Sequence, residues 1–170
     1  MRIVALLVVA AVIVALVLSL VDTGGPGSTG GELRGLVTNV SDGDTVRVEL
    51  DAGREERVRL LGIDAPELNP AECFAREAAA RARELADGAR VRLVHDSTQD
   101  KRDRFGRLLA YVVLEGSNDL GHQLVAEGYA SVLVFDRPFE RVDSYRDAEI
   151  SARRSARGRL WRTCRSRAGS

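Results

Sequence analysis

Three short stretches of this chain concentrate the side chains that do chemistry. Asp42-Gly43-Asp44-Thr45 sets two carboxylates in a turn, and Arg59-Leu60-Leu61-Gly62-Ile63-Asp64-Ala65-Pro66-Glu67 follows an arginine with two more. Asp103-Arg104-Phe105-Gly106-Arg107 then places another arginine and an aromatic ring just ahead of an apolar run. Carboxylates can hold a hard cation or accept a proton, and guanidinium forks grip phosphate oxygens. Each stretch alone also has a bland reading. An Asp-Gly pair is a common hairpin turn, an arginine in a strand can snorkel to water, and Asp before Pro is ordinary turn chemistry.

The elements that must position these residues follow from periodicity. Residues 36–40 read as strand by β-branched content more than by alternation, because Leu36, Thr38 and Val40 would share one face and Val37 and Asn39 the other. Residues 45–50 alternate cleanly, with Val46, Val48 and Leu50 on one side and Arg47 and Glu49 on the other, so the pair is a hairpin. A third strand is expected over 56–63, and an Ala-rich helix over 71–87 that Gly88 ends. Strands over 90–95 and 108–114 follow, then a short helix to Glu127 capped by Ser117 or Asn118, an extended piece over 129–135, and a last helix over 139–156. Periodicity supports α+β, and this element order is that of a five-stranded OB-type β-barrel with about three helices.

The 170 residues carry 25 basic and 25 acidic side chains, which excludes a protein that coats polyanions by bulk charge. Two cysteines make neither a disulfide-dense scaffold nor a four-thiolate zinc site. Residues 3–21 are apolar at every position except Ser19, and as a helix they would match a bilayer's hydrocarbon core. The run is longer than a signal-peptide core and lacks a small-x-small cleavage site, so we expect an N-terminal transmembrane helix, with a cleaved signal as the alternative. Arg2 before the run and Asp22 after it keep the N-terminus inside, and either reading exports the rest. Residues 22–31 contain five glycines and no apolar side chain, which reads as a flexible linker. One domain over 32–163 and a basic tail over 164–170 complete the expected organisation.

Together the three stretches resemble the thermonuclease family of staphylococcal nuclease. DGDT, RLLGIDAPE, DRFGRLLAYV, LVAEGYA and GRLW occur in the family's order and cover nearly all of 36–161. The resemblance implies an OB-type barrel with helices, and calcium-dependent hydrolysis of phosphodiester bonds in DNA and RNA. Residue by residue, it implies that Asp44, Asp64 and the backbone carbonyl of Ala65 hold Ca2+, an oxygen set that suits a hard cation. Glu67 matches the family's general base, and Arg59 and Arg107 match its two phosphate-binding arginines.

The departures surround the substrate. Phe105 stands where the staphylococcal enzyme has Tyr, and Val134 and Asp136 stand where it has two base-pocket tyrosines, leaving Phe135 as the nearby aromatic for stacking. Gly121 replaces a usual Asn, which puts a structural hydrogen bond in question. Secreted family members often carry cysteines where Cys73 and Cys164 stand, and export puts both in an oxidising compartment, so a Cys73–Cys164 disulfide is expected. His95 and His122 lie on no family motif and read as ordinary strand-end and helix-surface residues.

The expected protein is thus a monomeric calcium-dependent nuclease, held to the membrane through residues 3–21 with its domain outside, or secreted after cleavage. Its partner is a nucleic acid. The alternative is a catalytically weak nuclease-like domain that binds nucleic acid or protein at the cell surface. From 141 to 170 there are nine arginines and three acids, against 15 basic and 22 acidic residues over 22–140. That basic end is a solvated helix face or an electrostatic guide for anionic backbones or headgroups.

Overall fold

β1 (Glu32–Val40) and β2 (Thr45–Leu50) pair antiparallel around the 41–44 turn in a computed structural model that describes residues 32–155 and 159–165. The expected membrane segment, the linker and tail residues 166–170 lie outside the described residues. Among the described residues, no helix is long and apolar enough to cross a membrane.

The imperfect alternation of β1 has a cause in the ladder. Val37 faces Val48 and Asn39 faces Arg47, which leaves Thr38 as an extra residue. Such a bulge resets the inward phase of a strand, so Val37 and Val40 are both buried although they are three apart. β3 (Glu55–Leu60) pairs with β2, and β4 (Ile63–Asp64) is a separate short strand rather than the continuation expected over 56–63. Gly62 makes the break. Its φ is +79°, and a Cβ there would lie 2.5 Å from the Phe139 ring, so only glycine fits the corner.

β5 (Arg90–Val94) and β6 (Leu108–Leu114) close the sheet in the order β1-β2-β3-β6-β5, with β3 and β6 parallel and the other pairs antiparallel. This is the five-stranded closed barrel that the resemblance implies. Val46, Val48, Val58, Leu60, Leu93 and Val112 fill it. β7 (Ser131–Val132) is all that is strand within 129–135, and it pairs with β4.

The helices number four among the described residues. α1 (Ala75–Ala86) begins later than expected, because Ala71 bridges to Leu68 and Phe74 takes a left-handed φ of 71°, stacked on Tyr129 at 5.5 Å. It buries Ala75, Ala78, Ala79, Ala82 and Ala86, side chains small enough to let the helix lie close to the barrel. α2 (Leu120–Ala126) is capped by Asp119, not by Ser117 or Asn118. Ser117 sits at φ 69° in the turn that ends β6, donating its N–H to Leu114, and so is committed there. α3 (Val142–Arg154) covers the narrower range inside 139–156, and α4 (Arg159–Arg165) is an element the sequence reading did not separate.

Candidate functional site

The turn after β1 is shaped to bring Asp44 against the 61–67 segment. The Asp42 carboxylate accepts the Asp44 N–H at 3.0 Å, an Asx-type contact that stiffens the turn. A Cβ at Gly43 would lie 2.5 Å from the Ala65 Cβ and 3.2 Å from the Ala78 Cβ, so glycine here permits close approach. Asp44 is consequently buried, and its Oδ2 accepts the Ala65 N–H at 3.0 Å.

Arg59, at the end of β3, joins the two expected ligand carboxylates. Its Nη2 lies 2.9 Å from Asp44 Oδ2 and 3.4 Å from Asp64 Oδ1. Its Nη1 donates to the carbonyls of Leu60 and Ile63, each at 2.8 Å, which holds the fork at the Gly62 corner. Only 8% of Arg59 is exposed. Burial pushes the Asp44 carboxyl up to about 7, against the pull of Arg59 and the Ala65 N–H, and Asp42 adds repulsion. Asp44 is therefore an incompletely compensated buried anion.

Thr45 links this pair to the third stretch. Its hydroxyl donates to Asp44 Oδ1 at 3.1 Å and accepts from Arg107 Nη1 at 3.4 Å. Arg107 is aimed by Asp103, whose carboxylate takes Nε at 2.6 Å and the Arg107 N–H at 2.9 Å. Among the described residues, two of its five side-chain donors are engaged, by Asp103 and Thr45, leaving others for a ligand. Phe105, 64% exposed, lies under the guanidinium groups of Arg104 and Arg107 at 4.7 and 5.4 Å.

Glu67 belongs to the same cluster, although the residue as a whole is exposed. Packing around its carboxyl raises its pKa first, and the charges of Asp42, Asp64 and Glu72 raise it further against Arg59. Its backbone is clamped by Glu72: Glu67 N–H donates to Glu72 Oε2 at 2.9 Å, and Glu72 N–H donates to the Glu67 carbonyl at 2.9 Å. Phe135 is 73% exposed and lines a cavity of about 30 Å³ together with Arg59, Leu133, Arg137 and Phe139.

The structure thus gathers Asp44, Asp64, Ala65, Arg59, Glu67 and Arg107 at one end of the barrel. Asp42, Thr45, Asp103 and Glu72 support them, and the family resemblance assigns these four no role. The Asp-x-Asp-Thr and Asp-x-x-x-Arg spacings were their only local signal, whereas the clamp by Glu72 depends on the fold of the 67–72 loop. Among the described residues, no group of three or more His, Cys, Asp or Glu converges as a metal site. The two carboxylates with a neighbouring carbonyl nevertheless fit a hard cation by donor chemistry, since buried Asp44 lacks full compensation for its charge.

Cys73 and Cys164 are bonded, with Cα atoms 5.7 Å apart, which ties α4 to the loop before α1. His122 packs edge-on against Tyr145 at 5.3 Å, and His95 Nδ1 is buried without a hydrogen-bond partner among the described residues. At Gly121 the backbone N–H bonds to Asp119, and a Cβ would approach the Tyr145 hydroxyl to 3.1 Å.

Residues 57–163 match the family model described as staphylococcal nuclease homologue. The chain is 36% identical to a thermonuclease of Staphylococcus intermedius, over 73% of this chain and 76% of that one. It is 33% identical to an uncharacterized protein of Methanocaldococcus jannaschii, over 75% of this chain and 70% of that protein. With the endonuclease YncB of Bacillus subtilis it shares 35% identity over 66% of its own length and 54% of the relative's. A closed barrel whose end carries this arginine and carboxylate cluster, in a sequence that matches the family model from β3 to α4, places the chain in the staphylococcal nuclease family.

Proposed function

We propose that this protein is a calcium-dependent phosphodiesterase that cleaves DNA, RNA or both outside the cytoplasm. The observation that carries the reading is the continuous chain of contacts from Asp64 through Arg59, Asp44 and Thr45 to Arg107, with Glu67 beside it. A calcium ion held by Asp44, Asp64 and the Ala65 carbonyl would supply Lewis-acid polarisation of a phosphate oxygen. Arg107, aimed by Asp103 and with donors to spare, grips the phosphate and stabilises the charge that grows on its oxygens. Arg59 contributes positive charge while holding Asp44 and Asp64 in place. Glu67, with its pKa raised above the usual carboxylate range, accepts the proton of the attacking water. Phe105 offers an exposed face for base stacking, and Phe135 a second one beside Arg59.

Purified protein incubated with DNA and with RNA, in calcium and in chelator, tests the reading. Turnover that chelator abolishes is expected. Binding without turnover in calcium would instead favour the weak nuclease-like binding domain, which the absence of the two base-pocket tyrosines at Val134 and Asp136 keeps in view.

Export is part of the same proposal. The apolar run over 3–21 supports a single-pass anchor with the domain outside, and a disulfide suits an oxidising compartment. Membrane fractionation and protease access to intact cells distinguish an anchored from a secreted protein, and light scattering checks the monomer.

A further inference from the structure

Four arginines share one outer face of the barrel beside the candidate site. Val58 and Leu60 enter the core, so Arg57 and Arg59 leave β3 on the outside. On β2, Arg47 stands directly across from Arg57 and Thr45 across from Arg59. β6 runs parallel to β3 on its other side, with Val58 beside Leu108 and Arg59 beside Leu109. Arg57 and Arg107 therefore each come one residue before the same pair. Arg107 Nη1 reaches the Thr45 hydroxyl at 3.4 Å, and that contact carries its side chain across the outer face of β3, which lies between β2 and β6.

Three of the four have an acid where they stand. Arg47 meets Glu55 at 2.7 Å, Arg59 meets Asp44 at 2.9 Å, and Asp103 holds Arg107 at 2.6 Å. Arg57 is exposed and has no acid or hydrogen-bond partner for its side chain among the described residues. Both acids of β3 are taken, Glu55 by Arg47 and Glu56 by Arg54 and Arg102. An exposed arginine is ordinarily a solvated charge, but the position of this one gives it a further role. Two residues of strand set it about 6.8 Å from Arg59, and it stands beside the guanidinium that grips the phosphate in the proposed reaction. A nucleic-acid strand repeats its phosphate about every 3.4 Å of helix axis, so a strand held at Arg107 brings its next phosphate within an arginine's reach of Arg57. A free guanidinium fork matches that group. The anion is called for by the substrate at the site, not by crowding among the arginines.

We propose that Arg57 is a substrate-binding residue, which grips the phosphate next to the scissile one. The inference rests on the nuclease reading above. That neighbouring phosphate does not react, so Arg57 binds substrate and transition state equally, and its loss raises KM while leaving kcat in place. The contact carries no base readout.

The test compares wild-type protein with Arg57→Ala, Arg57→Lys and Arg90→Ala, the last removing an exposed charge from β5. Hydrolysis in calcium is measured on single-stranded DNA and on a nucleoside nitrophenyl phosphodiester, which has no neighbouring phosphate. Binding of the same DNA is measured in chelator across a salt series. Arg57→Ala is expected to raise KM for the DNA about tenfold with kcat unchanged, and to reduce the slope of log K against log salt by about 0.7. The nitrophenyl ester keeps its wild-type kcat and KM, Arg57→Lys keeps the salt slope, and Arg90→Ala changes neither substrate. An unchanged KM and slope in Arg57→Ala would overturn the proposal. So would an equal loss on the nitrophenyl ester, which would make Arg57 a support for Arg107, or an equal loss in Arg90→Ala, which would make the effect one of net charge. If Arg57→Ala does not fold, Arg57→Gln is read in the same way. DNA binding whose salt slope depends on Arg57, in a protein that hydrolyses nothing, would keep the phosphate contact and remove the nuclease reading.

Discussion

Asp119 is the residue whose replacement tests the structural reasoning most sharply, because three separate groups rely on one carboxylate. Its Oδ1 caps α2 by accepting the N–H of Gly121 at 3.1 Å and of His122 at 3.3 Å. The same oxygen takes the Tyr145 hydroxyl at 2.9 Å, and Oδ2 meets Arg141 Nη1 at 2.6 Å. Tyr145 is 1% exposed, and burial followed by the Asp119 charge pushes its phenol far above the usual value, so it remains a donor. Asp119→Ala removes a helix cap for about 1 kcal/mol. It strands a buried hydroxyl for about 1–3 kcal/mol. It also breaks an ion pair whose arginine is 37% exposed, worth at most about 1 kcal/mol after screening. The expected total is about 2–5 kcal/mol, against about 1 kcal/mol for Asp119→Asn, which keeps the cap and the hydroxyl acceptor. Urea melts with an unchanged m-value measure both. Combining Asp119→Ala with Tyr145→Phe removes the stranded hydroxyl, so the double variant should cost less than the sum of its parts by about 1–3 kcal/mol. Additivity, or equal costs for Ala and Asn, would refute this account of the network.

Glu67→Gln and Arg107→Ala should each lower kcat by about 10²–10³ with the melting temperature little changed, read from single-turnover hydrolysis in calcium. Reducing the Cys73–Cys164 bond, which links positions 91 apart, frees a long loop in the unfolded chain and should cost about 4–5 kcal/mol in a denaturant melt. A loss under about 1 kcal/mol would contradict the chain-entropy view. In chelator, stability should fall as pH rises from about 5 to 7. Asp44, with its folded pKa raised to about 7, keeps a proton that the unfolded chain releases near 4, so its protonated form favours folding and that advantage is lost upward through this window. Asp96 and Asp103 work with the opposite sign. Burial pushes both up, but hydrogen bonds to Thr98, Tyr111 and Glu140 for the first, and to Arg107 for the second, outweigh it and hold them below the usual value. Their contribution is complete above about pH 5 and is lost on acidification. Flat stability from pH 5 to 7 would contradict the assignment to Asp44. Gly43→Ala should destabilise by about 1–3 kcal/mol, since its Cβ would meet that of Ala65 at 2.5 Å.

Local pattern was enough for the strands with clean alternation and for the residue types at the site. β2 lies where its periodicity puts it, since inward and outward faces are written in every second side chain, and β6 lies on its continuous apolar run. The motifs likewise contain Arg59, Asp64, Glu67 and Arg107 as residue types suited to phosphate and cation chemistry. Tertiary packing decided the remainder, because bulges, corners and charge environments depend on groups distant along the chain. The extra residue at Thr38 is visible only against β2, and the break at Gly62 only against Phe139. Phe74 delays α1 because its left-handed turn lets the ring lie on Tyr129. Composition supplies Asp44 as one of 25 acids. Its raised pKa, its contact with Arg59 and its path through Thr45 to Arg107 exist because the barrel brings positions 44, 59 and 107 together in a space that excludes water. Sequence can state which charges are present, but desolvation and distance set their energies, and both are properties of the folded chain.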